Sequence, residues 1–151
     1  MTTQSRIELL QQMAVFGALR TDVLEFLLDQ SRVLTVPSGS YFFREGETGD
    51  TMFVLESGRV EVLKQAAEGE WHVLRQFAAG DCFGEMALMD LAPRSASVRA
   101  IEDCSAIEIG ASQLMSIYRK DIEQFVLLEM NMGRELSRRL RETDEQLFRQ
   151  R

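Results

Sequence analysis

The chain has 151 residues with a formal net charge of −7, two cysteines and a single histidine. This length suffices for one domain with its own core, and no apolar run approaches the roughly 20 residues of a membrane span. The negative balance argues against a broad DNA- or RNA-binding surface, and one histidine excludes metal sites that need several imidazoles. We expect a cytoplasmic protein without a metal or other cofactor, in which Cys82 and Cys104 are reduced and packed.

Apolar residues at helical spacing predict two short helices in residues 1–31, the first over residues 5–16 and the second after Asp22. Residues 32–110 change to short runs rich in valine, isoleucine, phenylalanine and leucine, separated by glycines. Strands at such intervals predict a β jelly roll or small barrel, a double-stranded β-helix. Residues 111–150 again have the spacing of helices. Together the three segments predict a single domain that is mainly β, with N-terminal helices and a long C-terminal helix.

Two hairpins are predicted in the β unit. An apolar strand over residues 52–55, a turn over 56–58 and an alternating strand over 59–64 indicate the first. Residues 66–70 are the predicted tip of the second, which leads into a strand over 71–77.

Ser112 is predicted to cap a short helix that runs to Tyr118, and Asp121 to begin a much longer helix that runs to about Phe148.

The long helix carries the spacing of a two-helix seam. Alternating steps of three and four residues join Val126, Glu129, Gly133, Leu136, Leu140, Thr143 and Leu147. Glu135 with Arg139 and Glu145 with Arg149 are expected as supporting pairs on the exposed surface. We therefore expect a homodimer through this helix. A helix packed only on its own barrel is the open alternative, because Glu129 interrupts the seam.

The segment that carries chemistry interrupts the strand pattern. Residues 84–89 are predicted to form one helical turn. The unpaired backbone N–H groups at its start could bind a phosphate. Pro93 stiffens the approach to Arg94, whose guanidinium suits a phosphate diester. Glu85 would repel phosphate unless it accepts a hydrogen bond from a neutral hydroxyl such as a ribose 2′-OH. An anion-binding position next to a carboxylate that accepts a hydrogen bond from a hydroxyl indicates a nucleotide ligand.

The run FGEMALMDLAPRSASV, residues 83–98, resembles the phosphate-binding cassette of cyclic-nucleotide-binding domains, whose pattern is Phe-Gly-Glu-x-Ala-Leu, a spacer, and Pro-Arg-x-Ala-x-Val. Upstream, REGETGDTMFVLESGRVEVL resembles the glycine-turned hairpin of the same family. The resemblance covers roughly residues 33–109. It implies that Glu85 takes the ribose 2′-OH and that Arg94 pairs with the cyclic phosphate. The other positions it assigns to the ligand site are Phe83, Gly84, Met86, Ala87, Ser95 and Ala96.

The long helix resembles that of bacterial cyclic-AMP-responsive regulators over residues 138–143. The resemblance implies that Thr143 meets the adenine across a dimer, although Asp144 departs from the serine that such regulators have next. Thr143 as a tolerated seam residue is the equal alternative. Cyclic AMP is the favoured ligand, and cyclic GMP is possible because the hydroxyl of Ser95 could serve either a phosphate oxygen or a guanine edge.

We therefore expect a cyclic-nucleotide sensor that signals by shifting the position of its long helix. The chain ends at Arg151 without a helix-turn-helix segment, so we expect a stand-alone sensor that does not bind DNA directly and that signals to another, unidentified effector protein. No activated nucleophile or metal-ligand set accompanies the motif, so we expect no enzyme. The alternative function is a ligand-free protein-interaction module of the same fold.

Overall fold

The computed structural model describes residues 1–150. In it, side chains that cap the first turn determine where the first and last helices begin. The Thr2 hydroxyl accepts a hydrogen bond from the N–H of Ser5 (3.1 Å) and so begins the first helix. The Asp121 carboxylate accepts one from the N–H of Gln124 (3.2 Å) and begins the last helix, as predicted. The elements are, in chain order, α1 (Thr3–Gln11), a 3-10 turn (Ala14–Phe16), α2 (Thr21–Gln30), β1 (Arg32–Val36), β2 (Tyr41–Phe43), β3 (Thr51–Ser57), β4 (Arg59–Gln65), β5 (Trp71–Ala78), β6 (Cys82–Phe83), α3 (Glu85–Asp90), β7 (Ser97–Ala100), β8 (Cys104–Gly110), α4 (Ala111–Lys120) and α5 (Ile122–Arg149).

The strands form two antiparallel sheets, in the orders β1-β8-β3-β6 and β2-β7-β4-β5. The residues of β3 show where the cores lie: Phe53 and Leu55 pack between the sheets, whereas Met52 and Val54 pack with the helices on the outer face. A strand that is buried on both faces has no polar side, which explains the unbroken apolar run in the sequence. The predicted β roll with flanking helices is confirmed.

The first predicted hairpin is wrong, because β3 and β4 belong to different sheets. Gly58 carries the chain across at φ +90°, and a Cβ there would lie 2.5 Å from the carbonyl oxygen of Asp103. Alternation identifies each strand but not its partner, and in this roll the two strands around a tight turn enter opposite sheets. The second hairpin is confirmed: β4 pairs with β5, with Val60 opposite Phe77.

The helix boundaries differ from the sequence prediction at two points. The first predicted helix is divided into α1 and the separate 3-10 turn. Gly110, rather than Ser112, is the cap of α4, and its N–H donates to Oε1 of Gln113 (2.8 Å). Ser112 therefore lies inside the first turn. No helix within residues 1–150 is both long enough and apolar enough to cross a membrane.

The first half of α5 is anchored by packing. Leu128 and Met132 are buried in the core formed with the helices, and the side-chain amide of Asn131 donates to the carbonyl oxygen of Gly17 (2.9 Å). Both cysteines are free and buried, as predicted. Burial raises the pKa of Cys82 to about 12.

Candidate nucleotide-binding site

Gly84 turns the chain between β6 and α3 in a conformation that favours glycine. Its φ is +84°, and a Cβ would lie 3.0 Å from Nη1 of Arg94, 3.3 Å from the Phe43 ring and 3.3 Å from the carbonyl oxygen of Thr51. A side chain would therefore be strained by the backbone and crowded by three neighbours. The glycine allows α3 to begin directly against Arg94.

Arg94 is a buried cation whose hydrogen bonds go to neutral oxygens. Its side chain donates to the carbonyl oxygens of Gly84 (2.9 Å) and Thr51 (2.8 Å), and its guanidinium lies 4.0 Å from the centre of the Phe43 ring. The residue is only 6% exposed, and burial lowers the pKa of its guanidinium. Within residues 1–150 no carboxylate oxygen lies within 4 Å of that guanidinium. A buried cation that no carboxylate contacts directly is suited to receive an anion.

Glu85 is buried at the start of α3 and forms an ion pair with α5. Nη1 of Arg139 donates to Oε1 of Glu85 (2.6 Å), and Nη2 donates to the carbonyl oxygen of Cys82 (2.8 Å). Burial raises the pKa of Glu85, and the nearby charge of Arg139 opposes that rise. The pairing of Arg139 with Glu135 is present (3.1 Å), but it is largely buried and not on the exposed surface as predicted. Arg139 therefore connects the cassette to the long helix.

These elements enclose a cavity of about 480 Å³, within the size range of small-molecule sites. The structure brings all nine sequence-predicted site residues to its wall. They are Phe83, Gly84, Glu85, Met86, Ala87, Arg94, Ser95, Ala96 and Thr143. That they contact a ligand stays a prediction.

Sequence reasoning missed several residues of the same wall. They are Phe43, Val62, Arg75, Phe77, Leu136, Arg139 and Leu140. Strand alternation could have placed Phe77 on the inner face of the roll, because both of its neighbours in β5 are exposed. Val62 gave no such signal, because the next residue, Leu63, is buried and the strand register shifts between the two. Nothing in the sequence paired Arg139 with Glu85, which lies 54 positions away.

Thr143 of α5 lines the cavity, and an ion pair beside it joins α5 to β5. The Thr143 hydroxyl donates to the carbonyl oxygen of Arg139 (3.0 Å), one turn earlier on the helix. It can still accept a hydrogen bond from a ligand. Nη2 of Arg75 lies 3.5 Å from Oε2 of Glu142 and joins β5 to the same part of the helix.

The exposed face of α5 differs from the predicted seam. Leu136 is half-buried and lines the cavity of its own chain. The large apolar side chains that are exposed along one face, here called the α5 face, are Ile122, Val126, Met130, Leu140, Leu147 and Phe148, with exposed fractions from 47% to 78%. Leu140 also lines the cavity. Gly133 lies among them, with nothing near its missing Cβ. The dimer stays a prediction.

Comparisons with known proteins agree with this geometry. Residues 33–121 match the family described as the cyclic nucleotide-binding domain. The chain is 30% identical over 142 residues to the CRP-like cAMP-activated global transcriptional regulator of Mycobacterium tuberculosis, covering 93% of this chain and 61% of that protein. It is 30% identical over 137 residues to the cyclic AMP receptor protein of Thermus thermophilus, covering 88% and 60%. A crystal structure of a cyclic nucleotide-binding domain from Methylobacillus flagellatus shares the fold with a TM-score of 0.88 at 20% identity, covering 99% of this chain and 84% of that chain.

The β roll, the cassette and the family match together identify the class of protein: the chain belongs to the cyclic nucleotide-binding domain family. It spans about three fifths of the length of the two bacterial regulators that it resembles.

Proposed function

We propose that this chain is a cyclic AMP sensor, whose cavity holds the cyclic phosphate on Arg94 and the ribose 2′-hydroxyl on Glu85. One observation carries the proposal: Arg94 is a buried cation that, within the described chain, has only neutral hydrogen-bond acceptors. Phosphate oxygens would give it charge-assisted bonds and a counterion. The names of the two bacterial relatives support cyclic AMP. Cyclic GMP is the second candidate, because Ser95 offers a hydroxyl on the cavity wall.

Calorimetric titration of nucleotide-free protein with cyclic AMP and cyclic GMP tests this function. Charge-assisted hydrogen bonds contribute roughly 1.5–3 kcal/mol, so Arg94→Ala is expected to weaken binding by about 10- to 100-fold. Arg59→Ala is the matched control, because Arg59 forms an exposed ion pair with Glu102 and does not line the cavity. Undiminished binding by Arg94→Ala would contradict its role, and no binding by the wild type would favour a ligand-free interaction module.

The long helix is the proposed output of the sensor. Leu136, Arg139, Leu140 and Thr143 all belong to α5 and line the cavity. A ligand that contacts these side chains stabilises the helix positions in which the contacts form, so it shifts a population of α5 positions. The proposed partners that respond to the position of α5 are a second copy of the chain, bound through α5, and an unidentified effector protein.

A further inference from the structure

We propose that Glu108 limits the cavity to ligands with a singly charged phosphate, and that the hydroxyl of Thr51 links it to Arg94. This inference rests on the proposed function of the cavity and names the residue that decides which kind of phosphate Arg94 accepts. Neither Thr51 nor Glu108 lines the cavity. Their effect on a ligand is therefore transmitted by the position of Arg94 and by charge.

The strand register brings Glu108 to the inner face of the roll. Glu108 of β8 lies opposite Phe53 of β3, and Phe53 packs between the two sheets. Residues that lie opposite each other in an antiparallel pair point to the same face of the sheet. Thr51 precedes Phe53 by two positions and therefore shares that face. The side chain of Glu108 is only 18% exposed.

The Thr51 hydroxyl connects Glu108 to Arg94. It donates to Oε2 of Glu108 (3.2 Å) and accepts from Nη2 of Arg94 (3.3 Å). An ionised carboxylate only accepts hydrogen bonds and a guanidinium only donates them, so the direction of both bonds is fixed. Burial lowers the pKa of Arg94, and among the nearby carboxylates Glu108 opposes that lowering most. The guanidinium is therefore held by a chain of bonds that ends in a negative charge.

The charges around the cavity match one negative charge of a ligand and oppose a second. Arg94 supplies one positive charge, and other cations on or beside the wall are already paired with carboxylates. These cations are paired as Arg139 with Glu85, Lys64 with Glu45, and Arg75 with Glu142. A cyclic phosphate is a diester with one negative charge, whereas a phosphate monoester carries about 1.5 to 2 at pH 7. The additional charge would be held near Glu108 without a cation of its own, and like charges repel.

The exposed partner of Glu108 does not remove this repulsion. Nε of Arg32 donates to Oε1 of Glu108 (3.0 Å), while Oε2 accepts from Thr51. The side chain of Arg32 is 74% exposed, so water and salt screen its charge, whereas Arg94 is buried. Glu108 therefore contributes negative charge on the side of the cavity.

Two ligands with an open phosphate test the charge limit: 5′-AMP, and its methyl ester, which carries a single charge. Each is titrated as a competitor of a bound fluorescent analogue of cyclic AMP, at neutral pH and low salt. The wild type is expected to bind the methyl ester more tightly than 5′-AMP, and Glu108→Gln should reduce that preference by about fivefold. Because both ligands have an open phosphate, a changed orientation of Arg94 affects them alike and leaves their ratio unchanged. Glu102→Gln is the matched control, since Glu102 forms an exposed ion pair with Arg59, and it should keep the wild-type ratio.

Thr51 is tested with a matched pair of variants. Thr51→Val keeps the shape of the side chain but removes the hydroxyl, so Arg94 loses an acceptor and cyclic AMP should bind about fivefold more weakly. Thr51→Ser keeps the hydroxyl, loses the methyl group, and should bind as the wild type does. This rescue by serine distinguishes the hydrogen bond from packing. Wild-type affinity in Thr51→Val would overturn the link through the hydroxyl.

The charge limit is overturned, while the proposed function stands, if the ratio is the same in Glu108→Gln as in the wild type or if the wild type prefers 5′-AMP. It is also overturned if neither open ligand displaces the probe from either protein, because the closed ring of the phosphate would then be the cause of selection. If the wild type binds neither cyclic AMP nor cyclic GMP, both the charge limit and the proposed function are overturned.

Discussion

Gly84 shows how one residue fixes the geometry of the cassette. Its left-handed backbone turns the chain from β6 into α3, and the space of its missing side chain is taken by Arg94, Phe43 and the Thr51 carbonyl. Gly39 has a similar φ of +87°, yet nothing lies within 4 Å of its missing Cβ. A side chain at either position would strain the backbone, but only at Gly84 would it also clash with neighbouring atoms. Comparing the two positions therefore distinguishes the effect of strain from the effect of crowding.

We expect Gly84→Ala and Gly39→Ala each to lose about 1–2 kcal/mol of unfolding free energy from left-handed strain. Gly84→Ala should lose more, because its methyl group must displace Arg94, and it should also weaken nucleotide binding. Urea unfolding and calorimetric titration measure the two effects. Equal losses of stability with unchanged binding in both variants would show that the space beside Gly84 does not matter.

At the scale of elements, α5 has two differently held halves. Its first half is buried against the 3-10 turn and α4 through Leu128 and Met132. Its second half is joined to the roll by the ion pairs of Arg139 with Glu85 and of Glu142 with Arg75, of which the first is the more buried. A half-helix that depends on ion pairs moves more readily than one that depends on a packed core, which suits the proposed output.

The ion pair between Glu85 and Arg139 predicts a pH dependence. Burial raises the pKa of Glu85, so the folded state binds a proton more tightly than the unfolded state. The resulting stabilisation is present at low pH and is lost as the pH rises through the folded-state pKa. Arg139→Met removes the opposing charge and raises that pKa further. We expect its unfolding free energy, relative to the wild type, to fall by about 1–3 kcal/mol as the pH rises from about 5 to about 7.

Urea unfolding across this pH range measures the effect, and hydrogen exchange should show faster opening in the second half of α5. Arg149→Met is the matched control, because Arg149 pairs with Glu145 in solvent. The double variant Glu85→Gln/Arg139→Met should lose the added pH dependence. A pH profile for Arg139→Met that is parallel to that of the wild type would contradict the buried pair.

At the scale of the whole molecule, the α5 face is the surface that favours association. Exposed apolar side chains from Ile122 to Phe148 share one side of α5, and the core and the cavity occupy the other side. Leu140 lies at the boundary, because it is exposed and also lines the cavity. Gly133 among them would let a second helix approach closely. Two copies of this face would bury each other's apolar side chains, as in a two-stranded coiled coil.

We expect Met130→Glu to convert the proposed dimer to a monomer, because it places a charge in the middle of the α5 face. Met115→Glu is the control: Met115 is exposed to a similar degree, 43% against 50%, but lies on α4. Sedimentation velocity measures the mass. Met130 does not line the cavity, so a monomeric variant also reports whether one copy binds the nucleotide alone. An unchanged mass for Met130→Glu would refute the association.

How well the sequence predicted a feature depended on how far apart its interacting residues lie along the chain. The cassette is local: within residues 83–98 the order of glycine, glutamate, proline and arginine indicated a turn, an acceptor and a cation, and the structure places them on one wall. The first hairpin was wrong because the pattern around Gly58 describes two strands and a turn but not the sheet that each strand joins. The predicted seam included Leu136, Leu140 and Thr143, which line the cavity, because helical spacing alone does not distinguish a cavity face from a dimer face.

The sequence by itself determined the mainly β fold, the long helix begun by Asp121 and the chemistry of the cassette, because strand alternation, capping and turn geometry act between residues a few positions apart. Only the tertiary structure decided that Arg139 meets Glu85, that Arg75 meets Glu142, and that Arg94 is buried with no carboxylate partner among residues 1–150. These contacts join residues that are tens of positions apart, and they form only after the two sheets and α5 have packed around the cavity.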